Sequence, residues 1–127
     1  MIAESAFFSS LVAIGGEHRQ WGRYEVLAEG PGYKVKSLFV EPGRATSLQL
    51  HRERSEVWQL VEGDVLVEIE DSMSGDMRPV RLRSVGGTAI VPIGKKHRIR
   101  NDGDKPATII EVQIGRCRED DIERFAP

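Results

Sequence analysis

Four polar residues in two short stretches of the chain have the types and spacing to bind a metal ion together. Gln49 and His51 lie two residues apart and Glu56 follows five residues after His51, whereas His97 comes after a Pro-x-Gly turn. Two imidazole nitrogens and two oxygens suit a borderline divalent ion such as zinc, manganese, iron, cobalt or nickel. Because the set carries a single negative charge, an ion held there would keep Lewis acidity for a bound substrate.

These candidate ligands must be positioned by extended segments. On a strand, Gln49 and His51 point to the same face, and a short bend after His51 would return Glu56 to the same place. The Pro-x-Gly turn would direct His97 back towards a facing strand. Strand-like segments recur between turns at residues 33–40, 46–51, 57–61, 65–69, 80–85, 88–91, 98–101 and 107–114.

This spacing predicts an all-β sandwich or closed barrel. Glu62-Gly63-Asp64 is expected to form a tight hairpin, and residues 72–77 a hairpin loop. Residues 120–125 are expected to form one or two helical turns. Neither the long helical patterns of a βαβ protein nor a glycine-rich phosphate loop is present in the sequence.

Composition narrows the functional classes. The 127 residues include 18 Lys and Arg against 20 Asp and Glu, so the net charge is −2. A nucleic-acid binder or a protein steered to anionic membranes would need a basic surplus. The single cysteine, Cys117, cannot form an internal disulfide, which favours a reducing, cytoplasmic compartment.

The most apolar stretch, residues 6–15, is shorter than the roughly 20 residues that a membrane span requires. It also lacks the basic start and the cleavage site of a signal peptide. We expect a single domain over residues 1–127, in which an N-terminal arm at 1–18 precedes a barrel and C-terminal segment at 19–125. The arm is expected to pack on the barrel or on the partner subunit of a homodimer, where it would protect a sheet edge.

The two stretches resemble the two signature motifs of the cupin superfamily. The motifs read Gly-x5-His-x-His-x(3–4)-Glu-x6-Gly and Gly-x5-Pro-x-Gly-x2-His-x3-Asn. Residues 43–63 and 86–101 match every spacing, with Gln49 at the first histidine position. The resemblance implies a jelly-roll-like double-stranded β-helix barrel with short helical elements at the termini. It also implies that Gln49, His51, Glu56 and His97 are the metal ligands.

A narrower resemblance covers residues 19–125. Residues 21–27, 32–36, 47–58, 92–98, 109–113 and 119–125 resemble the C-terminal cupin of type II mannose-6-phosphate isomerases, in which a Gln-x-His pair is typical. This resemblance implies interconversion of mannose 6-phosphate and fructose 6-phosphate through a metal-stabilised enediolate. Many relatives also carry a nucleotidyltransferase domain, for which 127 residues leave no room, so nucleotide-sugar synthesis is not expected.

Such an isomerase needs a general base to move a proton between C1 and C2 of the sugar. The candidate is Glu111, which shares one face of the last long strand with Ile109 and Gln113. That face either lines the cavity or faces solvent, and both alternatives remain open. Lys96 is a second candidate for a catalytic role.

The phosphate of the substrate needs a cation. Arg124 is the first candidate because a guanidinium binds phosphate through two parallel hydrogen bonds. Arg54 is a weaker candidate, and a solvated basic rim is the alternative for either residue. Gln113 is expected to contact the substrate if its face lines the cavity.

Two alternative functions remain open at this stage. The chain departs from the family's pattern at Arg52-Glu53, where a histidine-rich stretch is usual, and at Val57, where histidine is usual. The first alternative is a non-catalytic cupin that binds a sugar or a metal as a sensor. The second is an iron-dependent dioxygenase, which would use the same ligands.

Overall fold

The computed structural model describes residues 13–83 and 86–126, and the regular elements of these residues are all strands. This confirms the predicted all-β class. The strands are β1 (Gly15–Arg19), β2 (Gly22–Gly30), β3 (Tyr33–Val40), β4 (Leu48–Leu50), β5 (Arg54–Glu62), β6 (Val65–Glu70), β7 (Met77–Leu82), β8 (Thr88–Val91), β9 (His97–Arg100), β10 (Ala107–Gly115) and β11 (Glu123–Ala126).

The strands form two antiparallel sheets. A six-stranded sheet has the order β1-β2-β3-β10-β5-β8, and a five-stranded sheet has the order β11-β4-β9-β6-β7. Alternate side chains of each sheet point inward, so strands with an apolar inner face bury it against the other sheet. Buried core residues include Val40, Leu60 and Ile109 from the first sheet, with Val67 and Ile99 from the second.

The expected hairpin at Glu62-Gly63-Asp64 is wrong. Strand β5 pairs with β10 and β8, whereas β6 pairs with β7 and β9, so these residues carry the chain from one sheet to the other. Gly63 has φ of 94°, and a Cβ there would lie 2.9 Å from the Ala107 Cα. The turn residues predict where the chain changes direction, but they do not predict which sheet the next strand joins. The loop at 72–77 does join an antiparallel pair, β6 and β7, as predicted.

The termini of the described chain also differ from the prediction. Instead of a helical turn, residues 123–126 form β11, which pairs with β4. At the other end β1 pairs with β2, so the sheet begins at Gly15, inside the segment expected to be an arm. The rest of that expected arm, residues 1–12, lies outside the described residues. Among the described residues no helix has the length and hydropathy of a membrane span.

Asn101 fixes the crossing from β9 to β10. Its side chain is fully buried, and its Nδ2 donates hydrogen bonds to the carbonyl oxygens of Val40 at 3.0 Å and Lys105 at 2.8 Å. Its Oδ1 accepts a hydrogen bond from the backbone N–H of Gly103 at 3.1 Å. One amide side chain therefore holds a loop that has little regular structure of its own.

Candidate metal centre

Three of the predicted ligands form a buried cluster. The ligand atoms of His51, Glu56 and His97 all lie within 4.8 Å of one another. The distance from Glu56 Oε2 to His51 Nε2 is 3.3 Å, and that from Glu56 Oε1 to His97 Nε2 is 3.4 Å. Each of the three residues is at most 2% exposed. The two motifs therefore meet at one point inside the barrel.

Both sheets contribute to this cluster. His51 follows the end of β4 and His97 begins β9, so the histidines come from the five-stranded sheet, whereas Glu56 lies on β5 of the six-stranded sheet. The backbone N–H of Gly94 donates a hydrogen bond of 2.7 Å to the His51 carbonyl, which ties the turn of the second motif to the first motif. Gly94 has φ of 76°, the left-handed region that favours glycine.

The imidazole rings are oriented by backbone carbonyls. Nδ1 of His51 lies 2.7 Å from the Asp121 carbonyl oxygen, and Nδ1 of His97 lies 2.8 Å from the Lys95 carbonyl oxygen. Because a carbonyl oxygen only accepts, each Nδ1 must carry a proton, and in a neutral ring the lone pair is then on Nε2. Both Nε2 atoms face Glu56. In metal sites, a hydrogen bond from the ring nitrogen that does not bind the metal commonly orients the histidine ligand in this way.

A divalent ion fits these residues. Glu56 Oε1 and His97 Nε2 are buried and have no hydrogen-bond partner, an arrangement that costs free energy unless a cation satisfies it. Burial lowers the pKa of His51, which favours the neutral ring that ligates metals. Burial raises the pKa of Glu56, but the basic groups around it, which include the permanently charged Arg54 guanidinium at 3.1 Å, outweigh that effect and lower it below its ordinary value. The carboxylate is therefore ionised, as a metal ligand must be.

Gln49 and Arg54 adjoin the cluster in different ways. Gln49 is the register partner of His97, and its Oε1 accepts a hydrogen bond from Ser47 Oγ at 3.0 Å. Arg54, predicted to bind substrate, is buried, and its Nε donates to Glu56 Oε2 at 3.1 Å. Its Nη2 lies 3.3 Å from His51 Nε2. An ion bound through His51 Nε2 would replace this last contact. With an ion bound, the guanidinium would therefore position one ligand, Glu56.

A cavity of about 330 Å³ opens beside the cluster. Its lining includes most of the residues predicted to act in binding or catalysis, namely Gln49, His51, Arg54, Glu56, Glu111, Gln113 and Arg124. Lys96 is not among the lining residues, and its ammonium lies 4.3 Å from the centre of the Phe125 ring. The structure therefore does not bring Lys96 together with the other candidate catalytic residue.

Glu111 faces the cavity rather than solvent, which decides between the two alternatives left by the sequence. Its Oε2 accepts a hydrogen bond from Trp58 Nε1 at 3.0 Å, and its Oε1 accepts one from Gln113 Nε2 at 2.7 Å. Burial, together with the negative charge of Glu56, raises the pKa of Glu111 to about 7. Lys36 and the two hydrogen bonds oppose this rise.

Sequence reasoning missed two residues that line the same cavity, Lys36 and Glu119. Lys36 is 6% exposed, and its Nζ lies 2.7 Å from Glu119 Oε1. The signal was present in the strand at 33–40, where Lys36 alternates with Leu38 and Val40 on one face. Lysines on the same strand face as apolar core residues are candidates for buried functional charges.

The chain is similar in sequence to proteins of known families. Residues 13–127 match a family model that is described as "Mannose-6-phosphate isomerase C-terminal". The chain is 39% identical over 109 residues to the alginate biosynthesis protein AlgA of Pseudomonas syringae, covering 85% of this chain and 21% of that protein. It is 36% identical over 110 residues to a mannose-1-phosphate guanylyltransferase of Escherichia coli, covering 86% and 22%. The chain thus spans about a fifth of the length of these relatives.

Solved structures of low sequence identity share the fold. The capsular polysaccharide assembling protein CapF from Staphylococcus aureus superposes with a TM-score of 0.77 at 15% identity, over 89% of this chain and 32% of that chain. An oxalate oxidase superposes with a TM-score of 0.62 at 22% identity, over 67% and 43%. These similarities confirm the predicted cupin fold and concern the fold alone.

Proposed function

The chain belongs to the family of mannose-6-phosphate isomerase C-terminal domains, and on this premise we propose that it interconverts mannose 6-phosphate and fructose 6-phosphate with a divalent metal ion. One arrangement carries the proposal: the buried cluster of His51, Glu56 and His97 adjoins a cavity whose wall holds the buried carboxyl group of Glu111. The reaction moves a proton between C1 and C2. It needs a group that takes and returns this proton, and a group that stabilises negative charge on the two sugar oxygens.

The metal ligands in this proposal are His51, Glu56 and His97, with the Gln49 amide as the fourth. When bound, a zinc, manganese, cobalt, nickel or iron ion would supply Lewis-acid stabilisation of the negative charge that develops on the substrate oxygens. Arg54 and the two backbone carbonyls hold the ligands in place, so that little reorganisation accompanies binding.

Glu111 is the proposed base. A pKa of about 7 populates both protonation states at neutral pH, so the same carboxyl group can accept the proton from C2 and return it at C1. Trp58 and Gln113 hold its two oxygens by hydrogen bonds, which fixes the direction of proton transfer. Because the carboxyl group is buried in the cavity wall, bulk water has little access to the transferred proton.

Arg124 and Gln113 are the proposed contacts for the remainder of the substrate. Arg124 lines the cavity from β11 and presents a guanidinium that can bind phosphate through two hydrogen bonds. Gln113 has a buried Oε1 with no partner, which can accept a hydrogen bond from a sugar hydroxyl. Arg54 would act on the substrate through Glu56, the ligand that it positions.

The test is a turnover assay. The chain is loaded separately with manganese, zinc, cobalt, nickel and iron, incubated with mannose 6-phosphate, and assayed for fructose 6-phosphate. We expect turnover with at least one ion, and a decrease of about 10²- to 10⁴-fold in the variant Glu111→Gln, as for loss of a general base. Glu29→Gln, a change at an exposed site on β2, is the control and should retain the wild-type rate.

Absence of turnover with all of these ions would refute the proposed activity. Sugar binding without turnover would favour the non-catalytic alternative. Oxygen consumption by the iron-loaded chain would favour the dioxygenase.

A further inference from the structure

Two lysines on the inner face of β3 converge on one carboxylate oxygen. Lys34 and Lys36 are 7% and 6% exposed. Their Nζ atoms lie 3.3 Å and 2.7 Å from the same atom, Glu119 Oε1. Lysines are rarely buried to this extent without a charged partner.

The charges of this cluster do not balance. Two ammonium groups share the single carboxylate of Glu119, so the cluster has a net positive charge, and its members Lys36 and Glu119 line the cavity. The Lys36 ammonium also lies 4.3 Å from the centre of the Tyr24 ring, which stabilises a cation but does not neutralise it. An anion with more than one negative charge would match the two lysines better than Glu119 does.

The carboxylate is the replaceable member of the cluster. Lys34 and Lys36 are fixed in the central part of the six-stranded sheet, whereas the Glu119 side chain is 54% exposed on the segment between β10 and β11. Glu119 can therefore turn towards solvent without disturbing a strand. Lys34 and Lys36 lie on a strand that is paired on both sides, with β2 and β10, so they cannot move away without disrupting the sheet.

The position of the cluster links it to the proposed site. Lys36 is the register partner of Glu111, the proposed base, and both residues line the same cavity. A group held by Lys36 would therefore belong to a molecule in that cavity rather than to one on the outer surface.

We propose that Lys34 and Lys36 form a subsite for a phosphomonoester dianion, and that Glu119 occupies the subsite with its own carboxylate until the dianion displaces it. The inference rests on the proposed function, since the phosphate is that of the sugar substrate. It adds a second cationic contact to that of Arg124. When no substrate is bound, the Glu119 carboxylate pairs with the two buried ammonium groups. Because phosphate must displace this carboxylate, Glu119 lowers the affinity for phosphate.

The experiment titrates inorganic phosphate into the 127-residue chain by calorimetry, which requires no turnover. Lys36→Met should weaken phosphate binding about 10- to 100-fold, because a hydrogen bond to a charged group contributes roughly 1.5–3 kcal/mol. Lys36→Arg should retain binding, which separates loss of charge from failure to fold. Glu119→Gln should tighten binding, by about threefold or more, because the internal competitor is removed.

Charge-matched controls accompany each variant. Lys105→Met removes an exposed positive charge, and Asp120→Asn removes a negative charge from an 81% exposed side chain next to Glu119. The proposal is overturned if Lys36→Met binds no more weakly than Lys105→Met, or if Asp120→Asn tightens binding as much as Glu119→Gln. It is also overturned if neither the wild type nor Glu119→Gln binds phosphate.

The two proposals can fail independently. Phosphate binding with these variant effects, in a chain without isomerase activity, supports the subsite and refutes only the activity. Isomerase activity that Lys36→Met leaves unchanged, together with unaltered phosphate binding, refutes only the subsite.

Discussion

Replacing Glu111 by glutamine should stabilise the protein at neutral and alkaline pH. The carboxyl group is buried against Trp58 and near Glu56, an environment that penalises its ionised form. An amide has a similar shape and no charge. Its oxygen can accept from Trp58 Nε1, and its NH₂ group can donate to Gln113 Oε1, which now lacks a partner, once the Gln113 amide turns over. The substitution therefore removes the free-energy cost of a buried negative charge and preserves the hydrogen bonds.

The magnitude follows from the pKa. Below pH 4.5 the carboxyl group is protonated in both the folded and the unfolded chain, so it makes no pH-dependent contribution. Between the ordinary pKa of 4.5 and the folded pKa of about 7, the unfolded chain releases the proton first, and the folded state loses stability as pH rises. At about 1.4 kcal/mol per pKa unit, the wild type loses on the order of 3 kcal/mol over this interval. Glu111→Gln should escape this loss.

The assay is urea unfolding at a series of pH values from 4.5 to 8, with a chelator present so that bound ions do not contribute. The difference in free energy of unfolding between Glu111→Gln and the wild type should increase with pH and level off above pH 7. Glu29→Gln, at an exposed site on β2, should show no such trend. If the difference for Glu111→Gln stayed constant across the series, the buried, proton-binding environment assigned to this carboxyl group would be wrong.

Two further predictions concern the loops between the sheets. Gly63→Ala should lower the free energy of unfolding by about 1–3 kcal/mol, because φ of 94° is strained for alanine and its Cβ would meet the Ala107 backbone; thermal unfolding measures this, and an unchanged midpoint would contradict it. Asn101→Ala should cost about 1–3 kcal/mol for each carbonyl left unpaired, those of Val40 and Lys105. An effect below 0.5 kcal/mol, a size usual for surface substitutions, would show that water replaces these hydrogen bonds.

Much of the fold and of the ligand set could be predicted because short-range spacing determines them. Glycine and proline mark the turns, and alternation marks the strands, as in Tyr33–Val40, whose predicted bounds agree with β3. The positions of His51, Glu56 and His97 follow from strand periodicity and one bend, so their convergence was predictable as well.

The remainder depends on which strands pair, and local sequence does not encode that pairing strongly. The turn at Gly63 has the residues of a hairpin, but β6 finds its partners in the other sheet. Residues 123–126 form a strand because the edge of β4 is available to them. The place of Lys36 in the site could not be predicted for the same reason. Its neighbours Glu111 and Glu119 come from β10 and from the segment after β10, far along the chain.

The metal content of the purified chain tests the central claim most directly. After loading with manganese, zinc, cobalt, nickel or iron and dialysis, elemental analysis should find one tightly bound ion per chain in the wild type. The double variant His51→Ala/His97→Ala should bind none, and His18→Ala, at an exposed position on β1, should bind as the wild type does. Unchanged metal content in the double variant, or no bound ion in the wild type, would contradict the assignment of the His51–Glu56–His97 cluster as a metal centre.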